Sequence, residues 1–247
     1  MKSKLTITIA SILSVLVLVG VGFAAWVIIN PNVGANADGN IEVDTVTDNS
    51  YEIKAEFVKT TDATNGTIVF GKKDDASITK PWLTNTEKAE KLTATLTLTA
   101  HNFQAGSWDT IKTKTLTVSM KTIIKKTAEN TETDDTGFDS LVTSKYITYP
   151  TLSGAGSVSK TLTAWTDTVE IPLEKFTHAE NATTATYDLT ITFAWGDHFK
   201  NAEGTVENPY VFYNKKTYAE AKADANTALN AIHNALNGVS YKVSIKE

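Results

Sequence analysis

Polar and apolar positions follow two different periods along this chain, after an opening stretch with no alternation at all. Leu5 to Ile29 is an unbroken run of apolar and small residues without a charge. Lys2 and Lys4 precede it and Asn30-Pro31 stops it. Beyond it the period is two. From Lys91 to Ala100, Leu92, Ala94, Leu96, Leu98 and Ala100 fall on one face and Thr93, Thr95, Thr97 and Thr99 on the other. Thr115–Lys121 repeats this with Leu116, Val118 and Met120, and Tyr187–Trp195 with Tyr187, Leu189, Ile191, Phe193 and Trp195. Shorter versions run through 41–46, 51–57, 169–173 and 241–245. Half-buried strands alternate in this way, and β-branched Thr suits their exposed face. Asn65-Gly66 between Val58 and Thr67 reads as a hairpin turn.

One segment changes period. Over residues 217–237 the residues Tyr218, Ala221, Ala225, Leu229, Ile232 and Leu236 form one helical stripe. Thr217 and Glu220 have the spacing of a capping box, and Gly238 is placed to end the helix. The expected fold class is therefore mainly β: an antiparallel, jelly-roll-like β-sandwich with one C-terminal amphipathic helix and an N-terminal hydrophobic signal or anchor helix. The expected division is residues 1–37 as signal peptide or membrane anchor plus a short linker, and 38–247 as one β-sandwich domain.

The opening run is read as an export signal: a short basic region, then a long apolar one. About 25 residues at 1.5 Å each could also span a ~30 Å hydrocarbon core. Two small-residue cleavage sites are present, Gly22-Phe23-Ala24 and Ala35-Asn36-Ala37. If the segment of residues 5–29 is not cleaved, the lysines before it hold the N-terminus in the cytoplasm and the body outside. Either outcome places the body outside the cytoplasm, extracellular or on the cell surface.

Composition narrows the function classes. The 247 residues contain no cysteine, so disulfides and thiol chemistry are excluded. All 23 basic residues are lysine, so no guanidinium is present to clamp phosphate or carboxylate bidentately. With a net charge of −5, nucleic acid is not an expected partner.

Candidate chemistry is sparse. Loop 125–145 carries Glu129, Glu132, Asp134, Asp135 and Asp139 and reads as an exposed excursion, with calcium as a weaker reading of its carboxylates. Loop 196–214, entered from Trp195, carries Asp197, His198, Pro209, Tyr210, Phe212 and Tyr213. Its aromatics read as plugs under a long loop, with sugar stacking as the alternative. His101, His178, His198 and His233 have no metal-ligand spacing, and no nucleophile elbow or phosphate loop is present. No catalytic, cofactor-binding or metal-binding residue is expected, and no cofactor.

Leu18-Val19-Gly20-Val21-Gly22-Phe23-Ala24-Ala25-Trp26, followed by Ala37-Asp38-Gly39-Asn40-Ile41-Glu42-Val43, resembles the signal-peptide end and opening strand of exported biofilm-fibre subunits of the TasA and camelysin type. The resemblance covers about the first 45 residues. It implies a jelly-roll-like sandwich serving as an extracellular-matrix or fibre subunit. The acidic residue that family carries soon after the aromatic is missing, since Val27-Ile28-Ile29-Asn30 follows Trp26. The expected function is an exported structural protein that is not an enzyme and self-associates by strand addition, with Asp38–Thr47 as the added strand. Residues 41–46 as the first strand of the chain's own sheet is the competing reading for that segment and stands slightly ahead of it. A surface carbohydrate- or protein-binding module, with a cell-wall or surface partner, is the second reading; a secreted hydrolase is the third.

Replacing Val15 and Leu18 together by Asp puts two charges near the centre of the apolar run, each costing about 2.5–3.5 kcal/mol on the insertion scale. The variant is expected to accumulate inside cells; export at the normal level, scored by immunoblot of cell and medium fractions, would refute the signal assignment.

Overall fold

The computed structural model describes residues 38–44, 51–58, 66–73, 76–80, 83, 88–126, 131–237 and 239–247, with backbone alone at 38–44, 124–126 and 131–133. The apolar run at 5–29, both cleavage sites, Asn65 and Gly238 lie outside the described residues. Among those described, no helix is long and apolar enough to cross a membrane.

Among the described residues twelve strands form two six-stranded sheets. The first contains β1 (Asp38–Asp44), β3 (Thr67–Val69), β5 (Thr115–Lys126), β6 (Thr131–Asp134), β9 (Thr168–Pro172) and β12 (Val239–Lys246). Its order is β3-β1-β12-β5-β6, with β9 also pairing β5. The second contains β2 (Glu52–Phe57), β4 (Thr93–His101), β7 (Ile147–Gly154), β8 (Ser159–Thr161), β10 (Thr177–His178) and β11 (Ala185–Trp195). Its order is β2-β4-β11-β7-β8, with β10 also on β11. Pairing is antiparallel throughout except for β1 on β12, which run parallel with Ile41 opposite Tyr241 and Asp44 opposite Ser244. The mainly β, antiparallel expectation holds for the described sheets, and this one parallel pair departs from it. Chain order explains it: β1 and β12 are the first and last strands and share no tight turn, so nothing forces them antiparallel.

The alternations read from the sequence are the inward faces. In β4, Ala94, Leu96, Leu98 and Ala100 are buried while Thr93 is exposed. In β11 the apolar set from Ala185 to Trp195 is buried at every second position. β5 and β12 supply Leu116, Val118, Met120, Val239, Tyr241, Val243 and Ile245 from the other side. Phe193 of β11 and Tyr241 of β12 meet across the sheets with ring centroids 4.6 Å apart. Outside, the second sheet presents hydroxyls that pair across strands: Thr95 with Thr190 at 3.3 Å, and Thr151 with Thr161 at 2.7 Å.

Among the described residues four α-helices accompany the sheets, where only the C-terminal amphipathic helix was expected in this part of the chain. They are α1 (Trp108–Ile111), α2 (Gly137–Thr143), α3 (Pro209–Asn214) and α4 (Tyr218–Leu236). The three added helices are one or two turns long, too short for a periodic stripe to register in sequence. α4 has the expected capping box between Thr217 and Glu220. Its buried stripe is Ala221, Ala225, Ala228, Leu229, Ile232, His233 and Leu236. Tyr218, expected in that stripe, stands 48% exposed. It occupies the first helical position, and Lys222 lies over its ring at 4.7 Å. α2 packs on the end of α4: a Cβ on Gly137 would sit 3.0 Å from the Ala235 carbonyl oxygen, so the close approach depends on glycine.

Phe193→Ala removes a fully buried ring from the junction of both sheets and is expected to cost about 3–5 kcal/mol. Thr97→Ala, on the outer face of β4, is expected to cost under about 0.5 kcal/mol. Urea melts of the two variants compare these; equal losses would contradict the assignment of inner and outer faces.

Candidate functional site

Residues 127–130 of the acidic segment, with Glu129, lie outside the described residues, and its described part is not an exposed excursion. β5 continues to Lys126 and β6 returns on it, with Ile123 opposite Asp134 and Lys126 opposite Thr131. α2 follows and buries Phe138 and Leu141. The apolar spacing Phe138, Leu141, Val142 is a helical face surrounded by carboxylates, and it overrides their polarity once the sandwich offers it a surface. Each described carboxylate has its own structural task. Asp134 accepts from the Lys121 ammonium at 2.8 Å. Asp135 accepts from the backbone N–H of Gly137 and Phe138 at 3.0 and 3.3 Å, satisfying the opening of α2. Asp139 accepts from the Tyr149 hydroxyl at 2.7 Å. They point to three partners rather than one centre. Among the described residues no group of three or more His, Cys, Asp or Glu could hold a metal ion.

The aromatics around loop 196–214 are largely plugs. Trp195, Tyr210 and Tyr213 are buried, and the Lys216 ammonium covers half-buried Phe212 at 3.9 Å from its ring centroid. Trp195 Nε1 donates to Glu90, and Asn208 Nδ2 donates to the same carboxylate and to the Gly71 carbonyl at 3.0 Å. Asn208 Oδ1 accepts from the Tyr210 N–H at 2.9 Å, capping α3 ahead of Pro209. Asn208 therefore ties three segments at one buried point. Gly196 lets β11 end against the turn before β7, since a Cβ there would meet the Lys145 carbonyl oxygen at 2.2 Å.

The four histidines do not come together. His101 lies 3.7 Å from Glu52. His178 stacks on Trp108 with centroids 4.7 Å apart and planes 15° apart, and its Nε2 is 3.0 Å from the Ala182 carbonyl oxygen. His233 is buried on α4. His198, in the 3-10 turn Asp197–Phe199, has the richest surroundings. Its Nε2 lies 3.2 Å from Asp224 Oδ1 and 3.3 Å from the Tyr213 hydroxyl. Tyr213 donates to Asp224 Oδ2 at 3.0 Å, and the Tyr146 ring meets the imidazole edge-on at 4.8 Å. Burial, then the Asp224 charge, push the Tyr213 phenol far above its ordinary range. This imidazole, phenol and carboxylate join loop, α3 and α4. His198 Nε2 contacts both Asp224 and Tyr213, so the cluster fastens the loop to the two helices. Sequence reasoning singled out His198 but not Asp224, which sits 26 residues away on the helix.

A second polar group lies in the same loop. Glu207 Oε1 accepts from Lys215 and Asn201, while its Oε2 is buried with no partner among the described residues. No protein-family model matches the chain, and no curated protein or solved structure matches it.

Tyr149 supplies a titration that reports on the α2 contact. Burial first, then its hydrogen bond to Asp139 and that residue's charge, raise its pKa from 10.0 to about 12. A raised pKa means the stabilisation is complete below pH 10 and is lost as pH climbs towards about 12. Tyr149→Phe is expected to lower stability at neutral pH and to make the alkaline decline shallower. Chemical-denaturation curves across that range test this; an unchanged slope would refute it.

Proposed function

We propose that this chain is an exported structural protein of the cell surface or extracellular matrix, a subunit that self-associates into fibres rather than an enzyme. The observation that carries the reading is how the polar chemistry is spent. Asp135, Asp139, Glu90, Asn208 and the His198–Asp224 pair each fasten a loop or helix end to the sandwich. The lysine-led apolar run at 5–29 supports export, as a cleaved signal or as a membrane anchor. The resemblance to TasA- and camelysin-type subunits points the same way and would make the two-sheet body jelly-roll-like.

Self-association is proposed to run through strand addition by Asp38–Thr47. In the single chain, β1 pairs with β12 over Ile41–Asp44 and with β3 over Asp38–Asn40. The first strand of its own sheet is thus the arrangement of the isolated chain. An exchanged strand from a neighbour would satisfy the same β12 groups. A cell-surface binding module for carbohydrate or protein is the second reading. Tyr218, exposed at the start of α4 beside Lys222, favours it as a contact point.

A chain beginning at Ser50 separates the arrangements. Under strand exchange it is expected to stay folded and monomeric, to form no fibres by negative-stain microscopy, and to bind an added Asp38–Thr47 peptide. A sharp fall in melting temperature on the same deletion, or full-length processed protein that stays monomeric at high concentration, would reject exchange.

A further inference from the structure

The loop leading into α3 places an amine, a carboxamide and a carboxylate around a single oxygen. Glu207 Oε1 accepts from Lys215 Nζ at 2.5 Å and from Asn201 Nδ2 at 3.0 Å. The other oxygen of the Asn201 amide is held separately. Its Oδ1 accepts from the backbone N–H of Glu203 at 3.1 Å and of Thr205 at 2.9 Å. That turn is closed by Gly204 at φ +83° and by the bridge between Lys200 and Val206. The Glu207 side chain is 14% exposed, and its Oε2 is buried without a partner among the described residues.

A surface ion pair needs none of this. An exposed pair contributes little to stability and requires no oriented carboxamide. Here the side-chain carbonyl of Asn201 is polarised by two N–H donors. Its nitrogen shares a proton acceptor with a neighbouring amine. Two donors on the oxygen where charge develops and a base between nucleophile and leaving group are elements of acyl transfer.

We propose that Lys215 and Asn201 form an intramolecular isopeptide bond, with Glu207 as the proton carrier and the N–H groups of Glu203 and Thr205 as the oxyanion hole. Glu207 takes a proton from the Lys215 ammonium. The free amine attacks Cγ of Asn201, and the charge that develops on Oδ1 is held by the two N–H groups. A proton passes to Nδ2, the Cγ–Nδ2 bond breaks, and ammonia leaves. Glu207 gives its proton to the ammonia, so the products are the amide and one ammonium ion, with no oxidant or cofactor required. The hydrogen bond from Lys215, and then that from Asn201, hold the Glu207 carboxyl below its usual range against the effect of burial, so it stands as a carboxylate. The Lys215 side chain is 56% exposed. The link would close residues 201–215 into a covalent ring and fix the base of α3.

The test is tryptic mapping of the full chain purified from its own cells, fresh and after ageing in mildly alkaline buffer. The expected product is a peptide of residues 201–216, uncut at Lys215 and lighter than its sequence by one ammonia. It should give no backbone fragments between its two linked residues and should survive hydroxylamine. Glu207→Gln and Lys215→Arg, each checked for an unchanged near-ultraviolet dichroism spectrum, are expected to lose this product completely. A peptide of full sequence mass in the aged wild type would overturn the proposal. So would aspartate at 201, or an ammonia-light species that trypsin still cuts at Lys215, which marks a succinimide. Persistence of the product in Glu207→Gln would overturn the role of Glu207.

Discussion

The contact between Phe193 and Tyr241 is the point on which the two sheets depend. Each ring projects from a strand flanked on both sides, β11 between β4 and β7 and β12 between β1 and β5. Because strand side chains alternate strictly, fixing these two rings fixes which face of every neighbouring strand points inward. Phe138 of α2 closes on the same pair, with centroids 6.1 Å from Phe193 and 6.2 Å from Tyr241. Phe70 meets Phe193 at 5.7 Å and Trp195 at 5.2 Å. The hydrophobic effect supplies the drive; edge-to-face geometry among these rings selects one arrangement.

Once the apolar faces are buried, the loops must satisfy their own backbone and polar groups. They do so with short-range carboxylates and amides. Asp167 shows the economy of the device: its Oδ2 accepts from the Thr163 N–H, the Thr163 hydroxyl and the Ala164 N–H. Those bonds, chiefly with Thr163, hold its carboxyl below the usual range. Asn208 performs the equivalent task inside the protein, and Asp135 at the mouth of α2. With arginine and cysteine absent, the chain has no guanidinium forks and no disulfides to close its loops. A covalent link between Lys215 and Asn201 would add the one kind of staple that lysine and asparagine can supply together.

The hydroxyl-faced second sheet and the lysine-bearing first sheet differ on their outer surfaces. On β5 and β12, Lys121 lies directly opposite Lys242. Like charges so placed repel, and Asp134 offsets the repulsion by pairing with Lys121. On β4 and β11, Thr97 donates to Asp188 at 2.7 Å and neighbouring positions carry Thr. Such a surface hydrates well and offers little apolar area to foreign chains.

Period-two alternation by itself determined strands at 91–100, 115–121, 187–195 and 241–245 and their buried faces, because an apolar side chain every second residue has one way to leave water; the structure extends the second of them to Lys126. The capping box and stripe likewise determined α4, although Tyr218 escaped the stripe at the helix start. Tertiary structure alone decided the rest. The parallel pairing of β1 with β12 joins the first and last strands, which no local signal relates. The hairpin and helix within 125–145 were hidden because Phe138 and Leu141 gain burial only against a finished sandwich. His198 with Asp224, and Lys215 with Glu207 and Asn201, are polar residues without periodicity. Their meeting depends on loop paths set by Gly204, Asn208 and Pro209, and sequence spacing does not encode a distance across a folded loop.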